Sequence, residues 1–323
     1  MNNTTPIIFI HKGYSGYLYF SLKQARYSNP DTDIYIIGDK SNDRFNFIRH
    51  VLIDDYSRMA SSFEKVYKHY STNSYQFELF CIQRWFILSE FMEREKIKNI
   101  FMCDSDLMIY CDISEQNKRF EDYIVSYCYP NYQDNYRWSA SAHNSFWTSD
   151  AINSFCSFIF EIYTTDKVKI LEDKWNYHIS NKIPGGICDM TLLYLFAKGS
   201  DNKICNLLKV MGGSVYDDNI NCSENYFRNE YQIKNNKKEI VWEDNHPYCY
   251  NTNLNRKIKF LTLHFQGSAK QVIHRGYRGN DYGVKVYSLL REIMYFIFKK
   301  IISLITLQKC LWQNNRKCEN KIA

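Results

Sequence analysis

The chain opens with two short, strongly apolar runs separated by one helix-length segment, and few folds accept that arrangement. Residues 6–10 (PIIFI) and 33–37 (DIYII) are too short for core helices and rich in β-branched residues. Each therefore reads as a strand buried on both faces. Residues 17–27 between them read as a helix. Strand, helix and strand at this spacing predict an α/β fold whose ligand crevice lies at the carboxyl ends of parallel strands.

The rest of the chain continues the pattern. Residues 77–95 form the clearest helix, with Phe77, Phe80, Cys81, Leu88 and Phe91 at three- and four-residue steps on one face. Arg84 falls in the middle of that face. A guanidinium there needs a carboxylate or a phosphate partner, because burying it alone is costly. Residues 99–103 make a central strand that runs straight into Asp104-Ser105-Asp106. Strands at 123–127 and 143–147, a helix over 150–163, a Gly185-Gly186 turn and a helix over 189–198 follow. Beyond Gly199 the pattern is β-like, with 240–242 and 260–265 the best strands.

Composition narrows the class. With 323 residues, 45% of them hydrophobic and only five prolines, the chain can bury one large core. Eleven cysteines include no Cys-x-x-Cys pair, which excludes a zinc ribbon or thioredoxin motif and predicts reduced thiols. The first ten residues hold no basic region and only a four-residue apolar run, so neither a signal peptide nor a spanning helix is expected, and a cytoplasmic location follows. The net charge of +6 is uneven: from Lys285 onward there are eight Lys or Arg against two Glu, leaving a neutral body. That distribution argues against nucleic acid as the partner and for a tail that meets something anionic.

Asp-x-Asp occurs twice, and context separates the copies. Asp31-Thr32-Asp33 sits in an Asn-Pro-Asp turn, where Asp serves turn geometry. Asp104-Ser105-Asp106 leaves a buried strand, so its carboxylates arrive at the ligand edge, where they suit Mn²⁺ or Mg²⁺ and the phosphates such an ion carries. His264 follows another apolar strand and opens the run His264-Phe265-Gln266-Gly267-Ser268-Ala269-Lys270. His completes a metal shell, Gly267 admits a phosphate close to the backbone, and Lys270 supplies a cation for a leaving diphosphate. Asp189 opens a helix, where it serves either as first-turn acid or as a contact to sugar. His143-Asn144 reads either as surface polarity or as a contact to sugar hydroxyls.

Together the first strand, the helix carrying Arg84, Asp104-Ser105-Asp106 and His264-x-x-Gly267-x-x-Lys270 resemble the GT-A-type glycosyltransferases. The likeness is greatest to the retaining family that includes bacterial lipopolysaccharide galactosyltransferases and glycogenin, and it spans roughly residues 6–275. The resemblance implies a Rossmann-like, mixed and mainly parallel sheet flanked by helices, with Mn²⁺ or Mg²⁺ held by Asp104, Asp106 and His264. It implies a UDP-sugar donor met by Arg84, Ser105, Gly267 and Lys270, with His11 and Tyr14 on the nucleotide side. The acceptor would be a glycan or a lipid-linked glycan precursor, as in lipopolysaccharide or capsule biosynthesis. Asp189 would contact sugar, and in an inverting enzyme it would be the base. The chain departs from the family at His11-Lys12-Gly13-Tyr14, which lacks the usual Asp and Asn, and at Gln271-Val272, where Pro-Trp is common. It therefore reads as a distant branch.

The expected division is a catalytic domain over 1–283 and a basic amphipathic helical tail over 284–323. In the tail, apolar stretches 293–298 and 301–307 surround Lys299-Lys300. It reads either as a helix lying on an anionic membrane or as one that closes the core. Two rivals to the transferase stand: a nucleotidyltransferase, for which Lys12-Gly13-Tyr14-Ser15-Gly16 is a poor phosphate loop, and a catalytically idle, membrane-docked scaffold.

Overall fold

The computed structural model describes residues 4–131, 133, 136–199 and 204–297. Strands β1 (Ile7–His11), β2 (Ile34–Gly38) and β3 (Arg49–Leu52) run parallel, with α1 (Leu18–Ser28) crossing from the first to the second. Helices α2 (Arg58–Glu64) and α3 (Tyr75–Arg94) then lead into β4 (Asn99–Cys103), which pairs parallel to β1. After the turn at 104–106 come β5 (Leu107–Ile109), α4 (Ile113–Asn117), β6 (Val125–Cys128), β7 (Ser141–Thr148) and α5 (Ser149–Thr164). Helices α6 (Lys169–Ser180) and α7 (Asp189–Lys198) precede β8 (Ile204–Asn206). Among the described residues the sheet has seven strands in the order β3-β2-β1-β4-β7-β6-β8, and of these β7 alone runs against its neighbours.

Alternation along the strands builds two cores. Ile8, Ile37 and Ile100 face a layer that includes Trp85, Phe86, Phe155 and Leu192 of α3, α5 and α7. Ile7, Phe9, Ile36 and Phe101 face Leu18, Leu22 and Ala25 of α1. Trp85 lies 5.1 Å from both Trp147 and Phe155, centroid to centroid. A fully buried Phe in such a layer contributes roughly 1.5–3 kcal/mol.

A smaller β region follows: β9 (Ser214–Val215), the hairpin β10 (Ile233–Lys234) and β11 (Lys237–Lys238), β12 (Val241–Glu243), β13 (His246–Asn251), β14 (Arg256–Phe260) and β15 (Thr262–His264). Four of these form a sheet in the order β12-β13-β14-β9, whereas β15 pairs antiparallel with β5. The single strand expected over 260–265 is thus two strands that break at Leu261 and serve different sheets.

The face expected of α3 also needs correction. Phe77 is 59% exposed, and the core takes Leu79, Ile82 and Phe86. The helix lies between the sheet, α2 and α5, so it is buried around much of its girth and no single stripe marks its inner face.

Residues 282–297 form a further helix, α8. Val284 is wholly buried in the third core cluster, and Tyr287 stacks on Phe20 at 5.3 Å. Glu292 accepts from His274 at 2.7 Å and from Arg275 at 2.9 Å and 2.5 Å. The Arg275 hydrogen bond holds the Glu292 carboxyl down at about 2. Leu289, Leu290, Ile293 and Met294 stay exposed. The expected stretches around Lys299-Lys300 lie, from residue 298 on, outside the described residues. No helix among the described residues is long and apolar enough to cross a membrane.

Removing residues 284–323 should uncover Phe20 and lower the melting temperature by several degrees more than removing 298–323 does. Differential scanning calorimetry decides; equal loss from both truncations would show that α8 does not close the core. The Glu292 contribution should be complete above about pH 4.5, where Glu ionises in an unfolded chain, and fade as pH falls toward 2.

Candidate active site

Three strand ends bring the site together. β1, β2 and β4 run parallel, so His11, Asp39 and Asp104 share one edge of the sheet. Asp39 Oδ2 accepts from the Gly13 amide at 2.6 Å and Asn42 Nδ2 donates to the Gly13 carbonyl at 2.9 Å, which ties the loop after β1 to the loop after β2. At the end of β4 the chain turns at once, with the Leu107 amide on the Asp104 carbonyl at 3.1 Å. The antiparallel pairing of β5 with β15 sets His264 opposite Leu107, and the Phe265 amide donates to the Asp106 carbonyl at 3.0 Å. That register delivers an imidazole from the far end of the chain to the Asp-x-Asp turn.

One ligand atom each from Asp104, Asp106 and His264 lies within 4.8 Å of the others, a separation a single cation can span. Asp106 is buried; its Oδ1 stands 3.4 Å from His264 Nε2 and its Oδ2 3.1 Å from Lys270 Nζ. Burial opposes the charge on Asp106, but the His264 hydrogen bond and the charges of His264 and Lys270 outweigh it and hold the carboxyl well below its usual range. Burial likewise works against a charged His264, and its bond to Asp106 overcomes this, lifting the imidazole to about 9. His264 Nδ1 donates to the Asp218 carbonyl at 2.7 Å, which turns Nε2 toward the aspartates.

Arg84 of α3 does find a partner, and it is two carboxylates. Its Nη1 donates to Asp104 Oδ1 at 2.8 Å, and its Nε and Nη2 donate to Asp189 Oδ2 at 3.1 Å and 2.6 Å. Trp85 Nε1 adds a third bond to that oxygen at 3.3 Å. Asp189 is the first residue of α7, behind the N-cap Cys188. It is buried, and so combines the first-turn position with a place in the cleft wall. The Gly186 φ of +153° suits glycine, and a Cβ there would strike the Tyr70 carbonyl; this close approach fixes the turn that delivers Asp189.

The other expected residues separate into those in the cleft and those outside it. The cleft has a volume of about 530 Å³, and Arg84, Asp104, Ser105, Asp106, Asp189 and Lys270 are among its lining. Gly267 (φ +58°) opens the 3-10 segment that carries Lys270. Ser105 shares a hydrogen bond with the Tyr17 hydroxyl at 3.1 Å. Neither His11 nor Gly267 is among the lining; His11 sits edge-on to Tyr17 at 6.1 Å, and burial first, then Lys270, lowers its pKa. Tyr14 lies elsewhere: it is 48% exposed, stacks on Phe45 and lines a separate recess with Arg44. His143 and Asn144 are not surface residues. Both are buried inside β7, and His143 Nε2 and Asn144 Nδ2 both donate to the Asp217 carbonyl. His143 stacks on His264 at 4.2 Å, and burial drives its pKa down to about 3.

Sequence reasoning missed a supporting ion pair. Lys238 donates to Asp217 Oδ1 at 2.8 Å, and both side chains are fully buried. Lys238 also holds the carbonyls of Asn219 and Glu224, and Asp217 Oδ2 accepts from the His264 amide at 3.0 Å. The pair thus fixes the loop whose Asp218 carbonyl aims His264. Lys238 stands in the polar run Lys234-Asn-Asn-Lys-Lys-Glu239, which reads as a solvated turn, and no spacing links it to Asp217.

Solved structures similar to the chain are glycosyltransferases. Apo mouse xyloside xylosyltransferase 1 is 10% identical, with a TM-score of 0.44 over 63% of this chain and 85% of that one. The galactosyltransferase LgtC with donor and acceptor sugar analogues is 12% identical, with a TM-score of 0.43 over 89% of this chain and 95% of that one. The bifunctional glycosyltransferase WbbM is 10% identical, with a TM-score of 0.47 over 89% of this chain and 52% of that one. No protein-family model and no curated protein sequence matches the chain.

Replacing Lys238 with Met leaves Asp217 buried and unpaired and should cost about 3–5 kcal/mol in urea unfolding. The double replacement Lys238→Met, Asp217→Leu should recover most of that loss. If the double variant is no more stable than the single one, the pair is not what holds the loop.

Proposed function

We propose that the chain is a metal-dependent glycosyltransferase that moves a hexosyl group from a UDP-linked sugar to a hydroxyl of a surface glycan or lipid-linked precursor, with retention. The observation that carries the proposal is the meeting of Asp104, Asp106 and His264 with Lys270 at the carboxyl edge of a mainly parallel sheet. Two carboxylates and an imidazole fit Mn²⁺, and with less preference Mg²⁺. When bound, the ion would neutralise the two phosphates of the nucleotide as the glycosidic bond breaks.

The chain's own residues then take the following roles. Arg84 occupies Asp104 Oδ1 and so leaves the other oxygen of that carboxylate for the metal. Lys270, half-exposed over Tyr17, turns its ammonium from Asp106 to the departing diphosphate. Gly267 admits the phosphates to the backbone at the start of the Lys270 segment. His11 and Ser105 lie on the nucleoside side. Asp189 accepts a sugar hydroxyl through Oδ1, because Oδ2 already takes three hydrogen bonds. Those three bonds weigh against Asp189 as the base of an inverting reaction. Retention is what the resemblance to the retaining family implies.

The domain over 1–283 carries the chemistry, and the segment over 284–323 meets an anionic membrane from the cytoplasmic side. The exposed Leu289, Leu290, Ile293 and Met294 support this, together with the basic composition of the tail.

A thermal-shift screen of UDP, GDP, CDP and ADP, each with and without Mn²⁺, tests the reading. UDP with Mn²⁺ should raise the melting temperature, since a ligand at a hundred times its Kd adds about 2.7 kcal/mol. Asp106→Ala should fold and lose that shift. No shift with any of the four nucleotides would move the reading to the idle scaffold.

A further inference from the structure

A second cavity, of about 930 Å³, opens beside the metal cleft. Gln133, Arg137, Ser139, Cys188 and Met190 line both spaces, so this second chamber adjoins the first. A volume of this order accommodates a small oligosaccharide. The second chamber contains none of the three metal-binding residues.

Its walls are unlike those of an ordinary surface recess. Trp138 and Tyr177 line it, and Tyr136 joins them at ring distances of 4.8 Å and 5.0 Å. The C–H faces of a pyranose stack on such rings. Tyr136 (φ +55°) and Trp138 (φ +32°) both occupy the left-handed region, which bulky residues adopt only when their surroundings force them. Two residues one turn apart on α6 hold this strained segment. Lys174 Nζ bonds the carbonyls of Arg137 at 3.2 Å and Trp138 at 3.5 Å, and His178 Nε2 reaches the carbonyl of Tyr136 at 3.4 Å.

One charge in the wall is buried. Lys174 is 2% exposed, and its remaining bond, at 2.6 Å, is to the Thr191 hydroxyl. Every one of its partners is neutral, and it makes no ion pair among the described residues. Burial pulls the ammonium down to about 8. No Asp or Glu stands among the described residues of the lining. Unbalanced positive charge kept at the wall of a cavity is costly to folding, and an anionic ligand relieves it.

We propose that this chamber is a subsite for an acidic sugar, a pyranose carrying a carboxylate or a phosphate, which stacks on Trp138 and neutralises the charge of Lys174. Resting on the transferase reading, the sugar is a unit of the acceptor, and the shared lining directs its free hydroxyl toward the donor in the metal cleft.

Saturation-transfer NMR on the full chain, with neither nucleotide nor metal present, tests the subsite directly. The probes are methyl β-glucuronide, glucose 6-phosphate and methyl β-glucoside. One or both acidic probes should bind about tenfold more tightly than the neutral glucoside, the size of one good charge contact. The stronger acidic probe tells a carboxylate source from a phosphate source. Trp138→Ala should weaken its binding, Lys174→Met should erase the preference for charge, and Lys174→Arg should restore it. Binding of all three probes with equal affinity, or a charge preference that survives in Lys174→Met, would overturn the subsite. UDP with Mn²⁺ is measured by thermal shift on separate aliquots of the same protein: its failure to bind would count against the transferase reading alone, since the acidic probes are read without it.

Discussion

Arg84 is the interaction on which the site's geometry depends. Asp104 follows a strand and Asp189 begins a helix more than eighty residues later, and the half-buried carboxylate of the first repels the buried carboxylate of the second when they are brought together. The guanidinium of α3 lies between them with 15% of its side chain exposed and bonds both. It thereby locks three elements, α3, β4 and α7, to a common point on the sheet edge. Arg suits this position where Lys would not, because its planar fork satisfies two acceptors at fixed angles and keeps its charge when buried.

The opposite wall of the cleft rests on a second buried charge arrangement. Lys238 and Asp217, both inaccessible to solvent, set the loop that orients His264, while neutral His143 stacks beneath the His264 ring. The imidazole is therefore held by hydrogen bonding on one nitrogen, by packing on its face and by the Asp106 carboxylate on the other nitrogen. Such fixed placement aims Nε2 at the aspartates, so that a cation displacing its proton would meet the nitrogen already in position. It also explains why a region of short, irregular strands follows the regular sheet: β5 and β15 exist chiefly to bring the two halves of the site into register.

Much of this was legible in the residues. β1, β2 and β4 are short apolar runs buried on both faces, and α7 begins and ends at the residues its pattern indicates. Asp104, Asp106, His264, Lys270 and Arg84 converge because each sits at an element end or on a buried face that sequence marks. What escaped the reading depends on long-range contacts. Helix α6 is too polar to show a clear stripe, and β7 looks like any other strand although it runs antiparallel. Phe77 fits the period of α3 yet faces outward, since the direction of burial is set by neighbours and not by spacing. The Lys238–Asp217 pair and the exclusion of Tyr14 from the cleft are likewise products of tertiary packing.

The claim that His264 completes a metal shell with Asp104 and Asp106 can be read from the nitrogen itself. Pulsed electron paramagnetic resonance of Mn²⁺ on the full chain with UDP should show hyperfine coupling to one directly bound imidazole nitrogen, and His264→Gln should abolish it. Mn²⁺ bound without nitrogen coupling, or coupling that persists in His264→Gln, would contradict the assignment.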